Sequence, residues 1–362
     1  MTKFSAICGQ IVTPHGIVSG ELKFAKNISS IKKKKVSGRY FILPGHIDLH
    51  VHGGGGFDFM QAGNAIEEIA ATHSQFGTTA LLATTVTATP LELLQSFQAA
   101  QAYWKRPRTA NLLGIHLEGP FINEQKLGAQ PADVRPIDFA EISKLHKLVP
   151  IKILTLAPEK LPSLDDLKKL KKMNIIVQIG HSNATYEQAC EAFKAGCQSV
   201  THLFNAMSPF HHRAPGVPGA ALAHATYSEL IPDLLHVHAG AIKAALRAIP
   251  KLYFVTDATA ATGMPDGDYR LGTHEVSKCQ GGVRLPDGTL AGSCLTMNGA
   301  VKNALTLGMS MPEVAQRTAQ FPAELIKLKN RGMIKIGAVA DFVVVDGKGN
   351  LQQVYCQGKE IL

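Results

Sequence analysis

The sequence is short of several things, and each shortage removes a class of explanation. Its six cysteines (Cys8, Cys190, Cys197, Cys279, Cys294 and Cys356) form no Cys-x-x-Cys pair and no zinc-finger spacing. Aromatic residues make up only 6% of the chain, with a single tryptophan, too few for a base-stacking nucleic-acid platform. No uninterrupted apolar run approaches the roughly 18 residues that a membrane helix needs. Met1 to Val12 lacks the charged-then-apolar order of a signal peptide. The expectation is a protein with free thiols in a reducing cytoplasm, with no nucleic-acid or membrane partner. Charged residues are also modest at 18%, against 45% apolar, so the chain can bury a sizeable core. Its 362 residues suit one large α/β barrel plus a small appendage. The formal charge of +9 includes a solvated run, Lys32 to Lys35, and slightly favours anionic small molecules.

What is present is a regular alternation. Apolar, β-rich runs occur at Ile42–His52, Thr79–Thr85, Leu112–Leu117, Ile151–Leu156, Ile175–Ile179, Ser199–Leu203, Leu230–His236 and Leu252–Thr256. Most are separated by helical periodicity, at Ala65–Phe76, Leu91–Trp104, Phe139–Leu148, Leu164–Met173, Tyr186–Ala195 and Ala241–Ala248. Eight strands with crossovers predict a parallel (β/α)8 barrel. The sixth crossover, Asn205 to Tyr227, is rich in Pro, Gly, His and Ala and reads as a site-forming loop. Short strand signals before residue 44 and after Ala338, with an Asp346-Gly347 turn, predict that the two chain ends pair into one small β-sandwich. The expected division is 1–44 with 335–362 for that sandwich, and 45–334 for the barrel.

In a barrel of this kind the chemistry sits at the carboxyl ends of the strands. The first strand ends in His50 and His52, which share a face by the two-residue period. The third ends in Glu118, the fifth in His181, the sixth in His202, the seventh near His236 and the eighth in Asp257. Imidazoles and carboxylates on one open rim suit a divalent metal: zinc, iron, manganese or cobalt. Glu118 has two oxygens and could bridge two ions, one held by His50 and His52, the other by His181 and His202. Asp257 has the position of a general base. His116 shares the Glu118 face as a weaker candidate ligand, and His46, a layer or two deeper on the His50 face, reads as core or as a support behind the ligands. Asp48 reads as an orienter of a ligand histidine, whereas His73, His146 and His274 read as solvated.

Pro44-Gly-His-Ile-Asp-Leu-His-Val-His, His116-Leu-Glu-Gly-Pro-Phe, Gly180-His-Ser-Asn-Ala, Thr201-His-Leu-Phe-Asn-Ala-Met, Thr256-Asp-Ala and Ala291-Gly-Ser-Cys-Leu-Thr-Met together resemble the N-acetylglucosamine-6-phosphate deacetylases of the amidohydrolase superfamily. The resemblance spans essentially the whole chain. It implies a barrel with a small sandwich, a homodimer, and zinc first among the metals, with one or two ions per subunit. It also implies hydrolysis of the N-acetyl group of a phosphorylated amino sugar. Glu118, His181 and His202 fall on the principal metal ligands, with His50 and His52 permitting a second ion, and Asp257 falls on the catalytic aspartate. His236 falls on a contact to the acetyl carbonyl and Arg213 on the residue gripping the phosphate. Ala129, Gln130, Asn205, Ala206, Leu290, Ala291 and Gly292 fall on substrate contacts, with Gln130 where relatives often carry histidine. Two alternatives stand beside this reading: a cyclic amidase of dihydroorotase or hydantoinase type, and a non-catalytic barrel scaffold. The first usually bridges its metals with a modified lysine ending strand 4, yet Lys152 lies at that strand's other end.

Overall fold

Eight short strands run parallel around a common axis: His46–Val51, Thr78–Thr84, Asn111–Glu118, Ile151–Leu156, Ile176–Ile179, Ser199–Val200, Tyr227–Leu230 and Lys251–Phe254. The structure is a computed structural model describing residues 4–362, so residues 1–3 of the expected end segment lie outside the described residues. The first six strands form one sheet and the last two a second. Backbone bonds join the two pieces, Leu203 N–H to Glu229 O at 3.0 Å on one side and Asp257 N–H to His50 O at 3.0 Å on the other. Helices cover the outside, so strands such as Thr78–Thr84 are buried along their whole length. Ile47, Leu49, Ala80, Leu82, Ile153, Ile176, Tyr253 and Val255 pack one inner cluster, joined by Phe321, Ala323 and Leu325. The helix Phe321–Leu325 is tied to the start of the eighth strand by a 2.7 Å Lys251–Glu324 pair.

Local chemistry sets the helix limits. Thr89 caps Pro90–Lys105 and Thr185 caps Tyr186–Ala195, each exchanging bonds with the residue three positions on, Glu92 or Gln188. Gly196 ends the latter helix at φ 127°. The expected run Ile42–His52 is two elements, Tyr40–Pro44 and the barrel strand His46–Val51. Gly45 separates them, and a Cβ there would stand 2.4 Å from the Thr79 side chain. The seventh strand lies earlier than Leu230–His236, because Pro232 has no N–H for a ladder and Asp233 caps the N–H groups of Leu235 and His236. The sixth crossover is not all loop: Gly216–His224 is a helix. It is almost wholly apolar and packs against Tyr186–Ala195, so it carries no polar face for a periodicity to reveal.

The chain ends meet in a seven-stranded sheet, ordered Lys359–Glu360, Leu351–Cys356, Phe342–Asp346, Tyr40–Pro44, Ser5–Thr13, Gly16–Phe24, Ile28–Lys33. Only Ser5–Thr13 and Tyr40–Pro44 pair in parallel. A second small sheet, Gly267–Leu271, His274–Cys279 and Gly282–Arg284, lies in the insertion after the eighth strand. All six cysteines are free. No helix among the described residues is long and apolar enough to cross a membrane.

Phe342 joins the two ends. It is fully buried, edge-on to Phe24 at 4.8 Å and stacked on Tyr355 at 4.5 Å. Phe342→Ala is expected to cost about 3–5 kcal/mol in denaturant unfolding, from lost burial plus the cavity left behind. A loss under about 1 kcal/mol would mean that the end sheet packs independently of this contact.

Candidate metal centre

At the carboxyl mouth of the barrel, Glu118 lies 1% exposed among four imidazoles. Its Oε1 is 3.2 Å from His181 Nε2 and 3.2 Å from His202 Nε2, which are 3.1 Å from each other. Its Oε2 is 3.2 Å from His52 Nε2 and 3.5 Å from His50 Nε2, a pair themselves 3.1 Å apart. Asp257 Oδ1 completes the second group, 3.3 Å from His50 Nε2 and 3.2 Å from His52 Nε2. Two imidazole nitrogens and a carboxylate oxygen cannot all donate hydrogen bonds to one another. They can share a cation: bonds of about 2.0–2.1 Å in a tetrahedron put ligand atoms roughly 3.3–3.4 Å apart. The donor set and its spacing fit a divalent metal at each oxygen of Glu118.

The backbone works for this convergence. His181, His202 and Asp257 all adopt left-handed φ, at 48°, 27° and 52°, which is unfavourable for residues with a Cβ. Each turns its side chain inward where a continuing strand would carry it past the mouth. Gly292 presses on Asp257 so closely that a Cβ would meet its carbonyl oxygen at 2.9 Å. In the first strand the register slips between Asp48 and Val51, and strict two-residue parity fails there. Asp48 therefore binds Thr256 N–H and hydroxyl (3.2 and 2.6 Å) and the His50 N–H, not a histidine ring. Its role as a ring orienter is corrected to one of fastening the eighth strand to the first.

Burial alone would raise the Glu118 pKa, but His50 and His181 outweigh it and hold the carboxylate well below its usual range. Asp257 behaves alike: burial opposes ionisation, yet His50 and His52 keep it ionised. In return, burial would lower the His52 pKa, whereas Asp257 and Glu118 raise it to about 9. Such a field favours positive charge, whether protons or a metal.

These residues floor a cleft of about 210 Å³. Of the expected substrate contacts, Ala129, Gln130, Asn205, Ala206, His236, Leu290 and Gly292 line it. Ala291 does not; it is fully buried, in a cluster with Val86 and Leu271. Arg213 does not line it either; it is exposed, with its guanidinium 2.8 Å from His212 Nε2. Gln130 is buried and donates to Glu118 Oε2 at 2.6 Å while accepting from Thr87 N–H at 2.6 Å. His116 is no ligand: its ring nitrogens meet Leu49 O at 3.1 Å and Thr155 Oγ1 at 2.7 Å. Burial keeps it neutral, its pKa down to about 4. His46 is core, 3.0 Å from Thr318 Oγ1. His73 is not solvated but fully buried, its Nε2 bonded to Gly53 O at 2.9 Å. His146 and His274 are partly buried.

Two residues escaped the sequence reading. Glu229 accepts from His50 Nδ1–H at 3.0 Å, and Asp233 meets His236 Nδ1 at 2.6 Å. Placing the seventh strand three residues late set Glu229 outside it. The available signal was an acid directly before the apolar pair Leu230-Ile231 and Pro232. At strand 4, the carboxyl end carries Thr155 and Leu156, both buried, and the strand's lysine, Lys152, lies near the opposite end.

The pattern of the amidohydrolase family matches residues 41–361, and the chain belongs to that family of hydrolases. More particularly, it is 39% identical over 336 residues to an N-acetylglucosamine-6-phosphate deacetylase of Lysinibacillus sphaericus, covering 88% of this chain and 85% of the relative. It is 36% identical over 328 residues to an N-acetylgalactosamine-6-phosphate deacetylase of Escherichia coli O157:H7, covering 88% and 87%. In three dimensions it is similar to the N-acetyl-D-glucosamine-6-phosphate deacetylase of Mycobacterium smegmatis, solved as a mutant in complex with N-acetyl-D-glucosamine 6-phosphate. That similarity has a TM-score of 0.93 at 29% identity and covers 99% and 100% of the two chains.

The raised His52 pKa has a signed consequence for the metal-free chain. A folded value of about 9 against 6.5 means stability fully present below pH 6.5 and lost as pH rises through 9. Wild type in chelator is expected to lose more stability than His52→Gln between pH 6.5 and 9.5 in parallel melts. Equal losses would show that His52 carries no such proton.

Proposed function

We propose that the protein is a metal-dependent deacetylase that hydrolyses N-acetylglucosamine 6-phosphate to glucosamine 6-phosphate and acetate. The observation that carries the proposal is the sharing of one buried glutamate by two histidine pairs, with Asp257 beside them at the floor of the cleft. The family membership and the names of the relatives support the substrate class. A divalent cation, zinc first, held by Glu118, His181 and His202, with a second position at His50 and His52, would supply Lewis acidity to the acetyl carbonyl and acidify water.

The remaining work falls to side chains. Asp257, kept ionised by its neighbours, accepts the proton of the attacking water and returns it to the sugar nitrogen as the C–N bond breaks. His236 is held on its Nδ1 side by Asp233, leaving Nε2 to face the acetyl oxygen, where an N–H would stabilise the developing oxyanion. Gln130 spends both ends of its amide on Glu118 and Thr87, so it acts on the glutamate rather than as a free phosphate contact. With the acetyl group at the floor, the phosphate end of the sugar points outward. There the exposed Arg213 belongs to the arm that brings Asn205 and Ala206 into the cleft, and a guanidinium fork suits phosphate.

The testing experiment measures amine release from N-acetylglucosamine 6-phosphate, its galactosamine epimer, unphosphorylated N-acetylglucosamine and a cyclic amide, with metal analysis of the same sample. Preference for the first is expected; preference for the cyclic amide would replace the proposal with a cyclic amidase. Asp257→Asn should keep the metal content and lose about 10²–10⁴ in kcat, and near-normal turnover would remove Asp257 from proton transfer. Arg213→Ala should lower kcat/KM for the phosphorylated sugar by about tenfold or more, corresponding to loss of a charge-assisted pair of about 1.5–3 kcal/mol. An equal loss on the unphosphorylated sugar would take the phosphate away from Arg213.

A further inference from the structure

Each histidine pair at the metal centre contains one ring that is held from behind and one that is not. His181 Nδ1 meets Lys126 O at 2.9 Å, and His50 Nδ1 meets Glu229 Oε2 at 3.0 Å. By contrast, the buried Nδ1 atoms of His202 and His52 have no partner. Glu229 is thus the only acid behind a ring of either pair among the described residues, and it is fully buried.

Its surroundings are ordered too. Glu229 Oε1 accepts from the Tyr253 hydroxyl at 3.2 Å, and that hydroxyl accepts from Gln178 Nε2 at 2.7 Å. Thr201 Oγ1 donates to Gln178 Oε1 at 2.9 Å, and Thr155 and His116 extend the line through contacts of 2.7 Å each. These buried groups come from barrel strands 3, 4, 5, 7 and 8 and the end of strand 6, and form a polar belt beneath the histidines. Glu229 Oε2 also accepts the backbone N–H of His202 at 3.3 Å, so one oxygen holds a member of each pair. His50, His116 and Glu229 come close enough together to suggest an ion site. The His116 nitrogens are already engaged by Leu49 and Thr155, so the grouping is a hydrogen-bond junction.

We infer that Glu229, braced by Tyr253, is the positioning residue for the His50–His52 metal position. Its carboxylate fixes the His50 tautomer, with the proton on Nδ1 and the Nε2 lone pair aimed into the cleft. The inference rests on the metal-dependent reading above and deepens it. A carboxylate behind a ligand imidazole increases its basicity and removes the entropy of ring rotation. Only the His50 side is backed in this way, so loss of Glu229 weakens that position selectively. His202 is touched through its backbone alone, and its partner His181 is held independently by Lys126 O.

The test titrates Zn²⁺ into metal-free protein against a chromogenic chelator, with His52→Ala and His181→Ala assigning the two affinity classes. Glu229→Gln keeps the shape and removes the charge. It is expected to weaken the class lost in His52→Ala by about 10–100-fold and to leave the class lost in His181→Ala within about threefold. Tyr253→Phe, which keeps the ring and removes only the brace, is expected to act in the same direction by less, and decides the matter if Glu229→Gln does not fold. The inference is overturned if the variants hold both equivalents with wild-type affinity. It is equally overturned if both classes weaken alike, as for a merely structural carboxylate, or if wild type takes up only one equivalent. Turnover of N-acetylglucosamine 6-phosphate by the loaded wild type, measured in parallel, separates failure of the deacetylase reading from failure of this one.

Discussion

A carboxylate that is removed from water must find positive charge or many donors, and Glu118 is removed almost completely. Everything at the barrel mouth answers that demand. Four imidazoles and one amide reach its two oxygens, and each oxygen with its ring pair makes more close contacts than the available protons can serve as hydrogen bonds. A divalent cation held by these residues would resolve the crowding, because shared ligation needs no donated protons. The constraint also explains the second acid: Asp257 faces the pair His50 and His52, the side of the site open to one more anionic ligand.

The barrel supplies this arrangement through closure rather than through any single element. The ligands come from the ends of strands 1, 3, 5 and 6, and the acid follows strand 8. They meet only because the eighth strand returns to the first, through Asp257 N–H to His50 O and Asp48 to Thr256. Strand 8 therefore brings Asp257 against the His50 and His52 rings by the same bonds that close the fold. Strained backbone at His181, His202 and Asp257 follows from this geometry, since three chain directions must bend into one point.

Much of this was legible in the sequence, and the parts that were not share a cause. Strand and helix order follow from apolar periodicity, and His50, His52, Glu118, His181, His202 and Asp257 are visible because polar residues punctuate apolar runs at their ends. Glu229 was hidden by a boundary: Leu230 to His236 is apolar enough to pass for a strand, although Pro232 cannot donate to a ladder. The helix Gly216–His224 was hidden because it is apolar on every side. His73 was misjudged because a histidine in an amphipathic helix usually faces water, whereas this one bonds Gly53 O, just after His52. Left-handed φ values and a slipped register leave no periodic trace at all.

The unequal backing of the four rings has a chemical meaning of its own. Two imidazoles fixed by acceptors and two left unpartnered give each metal position one rigid ligand and one that can turn. The acceptor is neutral in one case and charged in the other, a carbonyl behind His181 and a carboxylate behind His50. The His50 ring is consequently the more electron-rich of the held pair, so the two positions differ in ligand strength although their inner donors look alike. One glutamate therefore stands between two unequally backed histidine pairs, and the inequality originates a layer below them, in the belt that runs from Gln178 through Tyr253 to Glu229.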